Sequence, residues 1–118
     1  MTRHGSGHDP VALTALRHIK DFGFTGWHLR QQKRGTSPDG PIVDGKVLLE
    51  RQVVQAGQLA VGGLPERDGS TVFLMMGPPM PEAGDGLVAL TRYWLIDEVA
   101  TLHRGRDDGI YAVLCVSH

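Results

Sequence analysis

Pro81-Glu82-Ala83-Gly84-Asp85-Gly86-Leu87-Val88-Ala89-Leu90 is the stretch on which the reading of the chain turns. Glycine supplies backbone angles that other residues avoid and aspartate bonds its own backbone, so Glu82 to Gly86 is turn chemistry, opening directly into a strand at Leu87. Residues 92–103 then alternate as a longer strand. Tyr93, Leu95, Asp97, Val99 and Thr101 fall on one face, with Trp94, Ile96, Glu98, Ala100 and Leu102 on the other. A polar tip spans 104–109, and 110–116 is almost wholly apolar, the pattern of a strand buried on both sides.

Upstream, 70–76 is a short apolar strand that stops at Gly77-Pro78-Pro79, and 64–69 is a polar turn. Residues 47–61 read as a strand with a bulge at Gly57, although Leu48, Leu49, Gln52, Val53 and Ala56 would also line a helix. The span 33–46 holds Gly35, Pro38, Gly40, Pro41 and Gly45 and is expected to be a long loop. Residues 24–32 alternate as a strand with Thr25, Trp27, Leu29 and Gln31 on one face. Before it, Asp9-Pro10 supplies a cap and a proline at the first helical position. Ala12, Ala15, Leu16, Ile19 and Phe22 follow at helical spacing, and Gly23 stands where a left-handed terminal residue is wanted. Residues 1–9 are polar and Gly-rich, an expected extended arm. The fold class expected is α+β: an N-terminal helix followed by a small, mostly antiparallel barrel or sandwich, one domain over 10–118.

A chain of 118 residues is the size of one domain. Lys+Arg 12 against Asp+Glu 13, with a pI near 6.6, makes a weak overall field and argues against tight nonspecific nucleic-acid binding by a monomer. The single Cys115 lies in an apolar run and reads as a buried thiol. Without a long apolar run or a leader pattern, a soluble protein with no membrane partner is expected.

Candidate chemistry is sparse. His4, His8, His18, His28, His103 and His118 show no metal-ligand spacing. Asp97 and Glu98 point to opposite faces of their strand, and neither Gly62-Gly63 nor Gly84-Asp85-Gly86 has the context of a phosphate loop. Ser37, Ser70 and Ser117 lack a nucleophile elbow. Met75, Met76 and Met80 suit core gaps or a partner-facing patch. No catalytic, cofactor or metal residue is assigned. Two basic clusters remain: Arg30, Lys33 and Arg34, with Asp39 and Lys46 on the same presumed loop, and Arg104 with Arg106 at the tip. Repeated around a ring, weak contacts of this kind to a phosphate backbone add up.

The order of signals resembles the head-completion or head-tail joining proteins of long-tailed bacteriophages. The resemblance rests on the helix ending Asp21-Phe22-Gly23, the strand Trp27-His28-Leu29-Arg30 and the Gly/Pro loop. In the second half it rests on Val72-Phe73-Leu74, Pro81-Glu82-Ala83-Gly84-Asp85-Gly86-Leu87-Val88, Arg92-Tyr93-Trp94-Leu95-Ile96 and Ile110-Tyr111-Ala112-Val113-Leu114. Where that family's next turn carries Gly, this chain has Leu90-Thr91-Arg92, and residues 55–67 have no clear counterpart. The resemblance implies a non-enzymatic virion neck protein, a ring of six or twelve copies below the portal or adaptor protein. Such a ring extends and helps close the DNA channel, touches packaged DNA transiently, and offers a docking surface to a tail terminator or tail tube protein. Thr2, Arg3, His4 and His8 would then reach a neighbouring subunit, and 30–46 would face the channel or the adjacent ring. Two rival readings are a non-viral adaptor or immunity module, and a small α+β barrel enzyme in which His28 or His103 meets a carboxylate in a pocket.

Overall fold

A computed structural model describes residues 10–32, 40–56, 64, 69–105 and 108–117. Its elements are α1 (Pro10–Phe22), β1 (Phe24–Gln31), β2 (Ile42–Val43), β3 (Lys46–Gln55), β4 (Ser70–Met76), β5 (Gly86–Ala89), β6 (Arg92–His103) and β7 (Ile110–Ser117). The strands run β1-β5-β6-β7-β4-β3, all antiparallel, and β1 pairs again with β3 along its whole length, so six strands close into a barrel. β2 hangs from the start of β3. This overturns the α+β class. Among the described residues the molecule is mostly sheet, and the one short helix there forms no layer of its own but lies on the outside of a barrel whose closure satisfies its own edges. Residues 1–9, expected as an arm, lie outside the described residues.

Closure creates two apolar compartments. Val53, Phe73, Met75, Leu87, Ala89, Trp94, Ile96, Tyr111, Val113 and Cys115 fill the interior, with Phe73 edge-on to Trp94 at 5.3 Å. Trp94 Nε1 donates to the Ala89 carbonyl at 3.0 Å, so its one polar atom is satisfied inside. The residues between them on the strands, Val54, Val72, Leu74, Ile110, Ala112 and Leu114, face outward and are covered by Ala15 and Ile19 of α1. β7 therefore reads as continuous apolar sequence because one of its faces lines the interior and the other lies under the helix.

Two local expectations are corrected, the faces of β6 and the conformation of Gly23, and the inward face of β1 is settled. The pairing of β6 with β7 slips between Ile96 and Glu98, a bulge at Asp97 that swaps the faces of the strand. Trp94 and Ile96 therefore share the inner cluster with Val99, whereas Ala100 and Leu102 pack on the helix side. In β1 the buried residues are Gly26, His28 and Leu29, while Trp27 is 39% exposed, so the inward face carries a histidine. Gly23 is not left-handed. Its N–H closes on the Ile19 carbonyl at 2.7 Å, and a Cβ there would fall 2.2 Å from that oxygen, which explains the glycine.

The expected loop 33–46 contains β2 and a two-residue turn at Asp44 and Gly45, both at positive φ, which delivers the chain into β3. Residues 33–39 lie outside the described set. So does 57–61, the last third of the expected 47–61 strand, of which residues 47–55 belong to β3. The β5–β6 hairpin turns on Leu90 (φ 54) and Thr91 (φ 58) with Ala89 opposite Arg92, so the hairpin forms without a glycine.

Candidate functional site

Among the described residues the β3–β4 ladder covers Val53, Val54 and Gln55, extended by the Ala56 N–H donating to the Val72 carbonyl at 2.8 Å. Where β4 ends, the chain crosses as Gly77-Pro78-Pro79, with both the Gly77–Pro78 and Pro78–Pro79 bonds cis, and turns at Glu82 to Asp85 into β5. A buried polar cluster ties this crossing to the barrel. Asp85 closes its own turn twice: its N–H donates to the Glu82 carbonyl at 3.1 Å, and its Oδ2 accepts the Glu82 N–H at 3.0 Å. Oδ1 accepts the Gln31 N–H at 3.3 Å, which fastens the turn to the end of β1. His28 Nε2 donates to Asp85 Oδ2 at 2.8 Å. The other ring nitrogen, Nδ1, stands 3.4 Å from Nη2 of Arg51. That guanidinium also donates to the carbonyls of Met76 (3.1 Å), Pro79 (2.7 Å) and Pro78. One cation thus collects three carbonyls and a histidine, and the histidine carries the link to the carboxylate.

All three side chains are buried, His28 completely. Because the Arg51 guanidinium can only donate, Nδ1 serves as its acceptor and Nε2 donates to Asp85, so the ring is a strut between opposite charges. Buried charges persist when they are paired and hydrogen-bonded, and both conditions hold here. Burial works to raise the Asp85 pKa, but hydrogen bonds from His28 and from the Glu82 and Gln31 amides outweigh it and hold the carboxyl below its ordinary value. The required meeting of His28 with a carboxylate does occur, but inside the barrel wall with both ring nitrogens engaged. That arrangement fixes a loop; it offers no proton to a substrate without first breaking. At the tip, His103 Nε2 stands 3.6 Å from Asp108 Oδ2.

A cleft of about 380 Å³ opens beside the same loop, lined by Arg30, Pro79, Met80 and Glu82. Arg30, assigned from sequence to the long loop, instead lies in β1 and is half-buried. Lys46 opens β3, and its Nζ donates to the Tyr93 hydroxyl at 3.3 Å, 5.9 Å from the ring centroid. The structure therefore does not bring these two cations together on one projecting loop. Arg104 is exposed just past β6. Lys33, Arg34, Asp39, Arg106, Thr2, Arg3, His4 and His8 lie outside the described residues. Burial pushes the Cys115 thiol up to about 12, which keeps it protonated and unreactive. Among the described residues no three His, Cys, Asp or Glu side chains group as metal ligands, and no helix is long and apolar enough to cross a membrane.

Sequence reasoning named Asp85 as a turn residue and missed its partners. His28 is 57 residues from it, Arg51 lies 23 beyond His28, and only barrel closure puts β1 between β3 and β5. The available signal was a histidine at the inward-facing position of an alternating strand.

No family model, curated protein or solved structure matches the chain.

Proposed function

We propose that the chain is a structural subunit of the neck of a long-tailed bacteriophage, assembling as a ring between the portal or adaptor and the tail, and working through its surfaces. One observation carries this reading. The segment 81–88 that bears the family resemblance is also the segment the barrel is locked around, through Asp85, His28 and Arg51. A subunit in a pressurised channel wall needs a rigid body, and a closed barrel with a buried ionic brace is one. Apolar side chains left exposed on that body, Trp27, Ile42, Val43, Leu90, Leu95 and Val116 among them, supply contact surface. Arg104 at the tip adds a solvated cation suited to weak, reversible contact with DNA phosphates.

The test is imaging and sedimentation of the purified protein, alone and mixed with a portal ring. Annular particles, free or capping the portal, are the expected result. A barrel that stays dispersed in both samples sinks the proposal.

A further inference from the structure

One strand outruns the closed part of the barrel. β6 extends from Arg92 to His103, but β5 accompanies it only along Arg92, Tyr93, Trp94 and Leu95. The Asp85 turn adds one more step: the Ile96 N–H donates to the Asp85 carbonyl at 2.9 Å, and the Ile96 carbonyl accepts the Gly84 N–H at 2.8 Å. Past Ile96, no strand lies on that side of β6 among the described residues.

The ladder fixes which backbone groups are left there. The Ala56 N–H donates to the Val72 carbonyl, so Val72 is turned towards β3, and its neighbours Thr71 and Phe73 towards β7. Their partners Cys115 and Val113 are thereby spent on β4, which leaves Leu114 and Ala112 to bond β6 at Glu98 and Ala100. Val99 and Thr101 therefore turn their N–H and C=O groups away from β7, to the uncovered side. Unpaired backbone of this kind is a template for another strand.

We propose that two copies of the chain pair edge to edge along this stretch, antiparallel and related by a two-fold axis at Ala100. The dimensions of the stretch select this occupant. Paired about Ala100, Val99 lies opposite the partner's Thr101 and Thr101 opposite the partner's Val99, so every outward-turned residue meets another. Asp97, the first residue past the Asp85 turn, lies opposite the partner's His103, the last residue of β6, so the free length is filled and no more. Ala100 meets its own copy, and a methyl group leaves the axis clear. Charge favours the same register. Asp97 and Glu98 are exposed acids at one end of the stretch, and Arg104 is an exposed cation at the other, next to His103, whose Nε2 stands 3.6 Å from Asp108. Pairing about Ala100 carries each Arg104 towards the other copy's acids and holds the two Glu98 side chains apart. Moving the axis to Val99 would bring those acids together, and moving it to Thr101 would drive the tip into the Asp85 turn. The pair goes beyond the ring reading: a two-fold contact does not itself propagate around a ring, so it describes the free subunit.

Sedimentation over a range of concentrations and amide hydrogen exchange test the pair on the full chain. The contact is short and rests on backbone bonds, so a concentration-dependent equilibrium of monomer and dimer is expected. The Val99 and Thr101 amides should exchange fast in the monomer and slow down as dimer forms. Thr101→Pro removes an N–H that points away from β7 and leaves the barrel's own ladder whole, which circular dichroism checks. By symmetry each dimer loses that bond twice, so association weakened by roughly tenfold or more is expected. A wild type that stays monomeric at every concentration would overturn the pairing. So would a dimer or an annular particle whose Val99 and Thr101 amides exchange as fast as in the monomer, or a folded Thr101→Pro chain that dimerises as tightly as the wild type. Should the proline variant fail to fold, exchange in the wild type decides alone. The ring reading stands or falls separately, on annular particles with the portal.

Discussion

One side of the barrel lies under a helix and the other lies open, although both are built from the same alternating strands. On the covered side Leu74, Ala112 and Leu114 face outward yet are fully buried, because α1 seals them with Ala15 and Ile19. On the open side Trp27, Leu95 and Val116 occupy equivalent outward positions and remain more than a third exposed. The first pattern is what stability needs; the second leaves apolar area without a folding role and suits contact with another molecule. The Asp85–His28–Arg51 brace lies between them and ties the open side's β1 and β5 to the β4 end of the covered side.

The largest test of this division cuts the brace. Arg51→Ala leaves Asp85 buried without its cation and frees three carbonyls of the crossing loop, so a loss of about 3–5 kcal/mol in urea unfolding is expected. A loss under about 1 kcal/mol would mean the two sides do not need the link. Acid tests the same brace. Because the folded Asp85 pKa is lowered, its contribution is fully present above the unfolded value of about 3.9 and is lost as pH falls through the folded one. The urea midpoint should therefore fall below about pH 4, and Asp85→Asn should flatten that dependence at a lower overall stability.

Next in size is the contrast between the sides. Ile19→Ala should cost about 2–4 kcal/mol by emptying the seal, while Leu95→Thr should stay within about 0.5 kcal/mol in the monomer. Equal losses would erase the distinction.

The smallest effect concerns the turn at the end of the open side. Leu90 and Thr91 both sit at positive φ, where side chains are strained, whereas the equivalent turn after β2 uses Asp44 and Gly45, the residues that geometry favours. Replacing Leu90→Asn and Thr91→Gly should stabilise the barrel by about 1 kcal/mol, read as a higher urea midpoint. Should stability fall instead, Leu90 contributes packing that its 44% exposure conceals.

Much of this was legible residue by residue. The turn before β5 could be read because its chemistry is local: Asp85 bonds Glu82, three positions away. β4 and β7 could be read from apolar β-forming runs bounded by turns. The faces of β6 could not, since a single extra residue at Asp97 reverses the alternation without leaving a mark in composition. Nor could the brace, which joins residues separated by 57 and 23 positions.

The amino-acid order alone determined where the chain turns and which segments extend, because those choices depend on neighbours within a few residues. Only the tertiary structure decided that β1 closes the sheet between β3 and β5, that a histidine and an arginine meet an aspartate inside the wall, and which apolar faces the helix leaves bare. Those outcomes depend on long-range pairing register, and a strand's own residues are compatible with more than one partner until the barrel shuts.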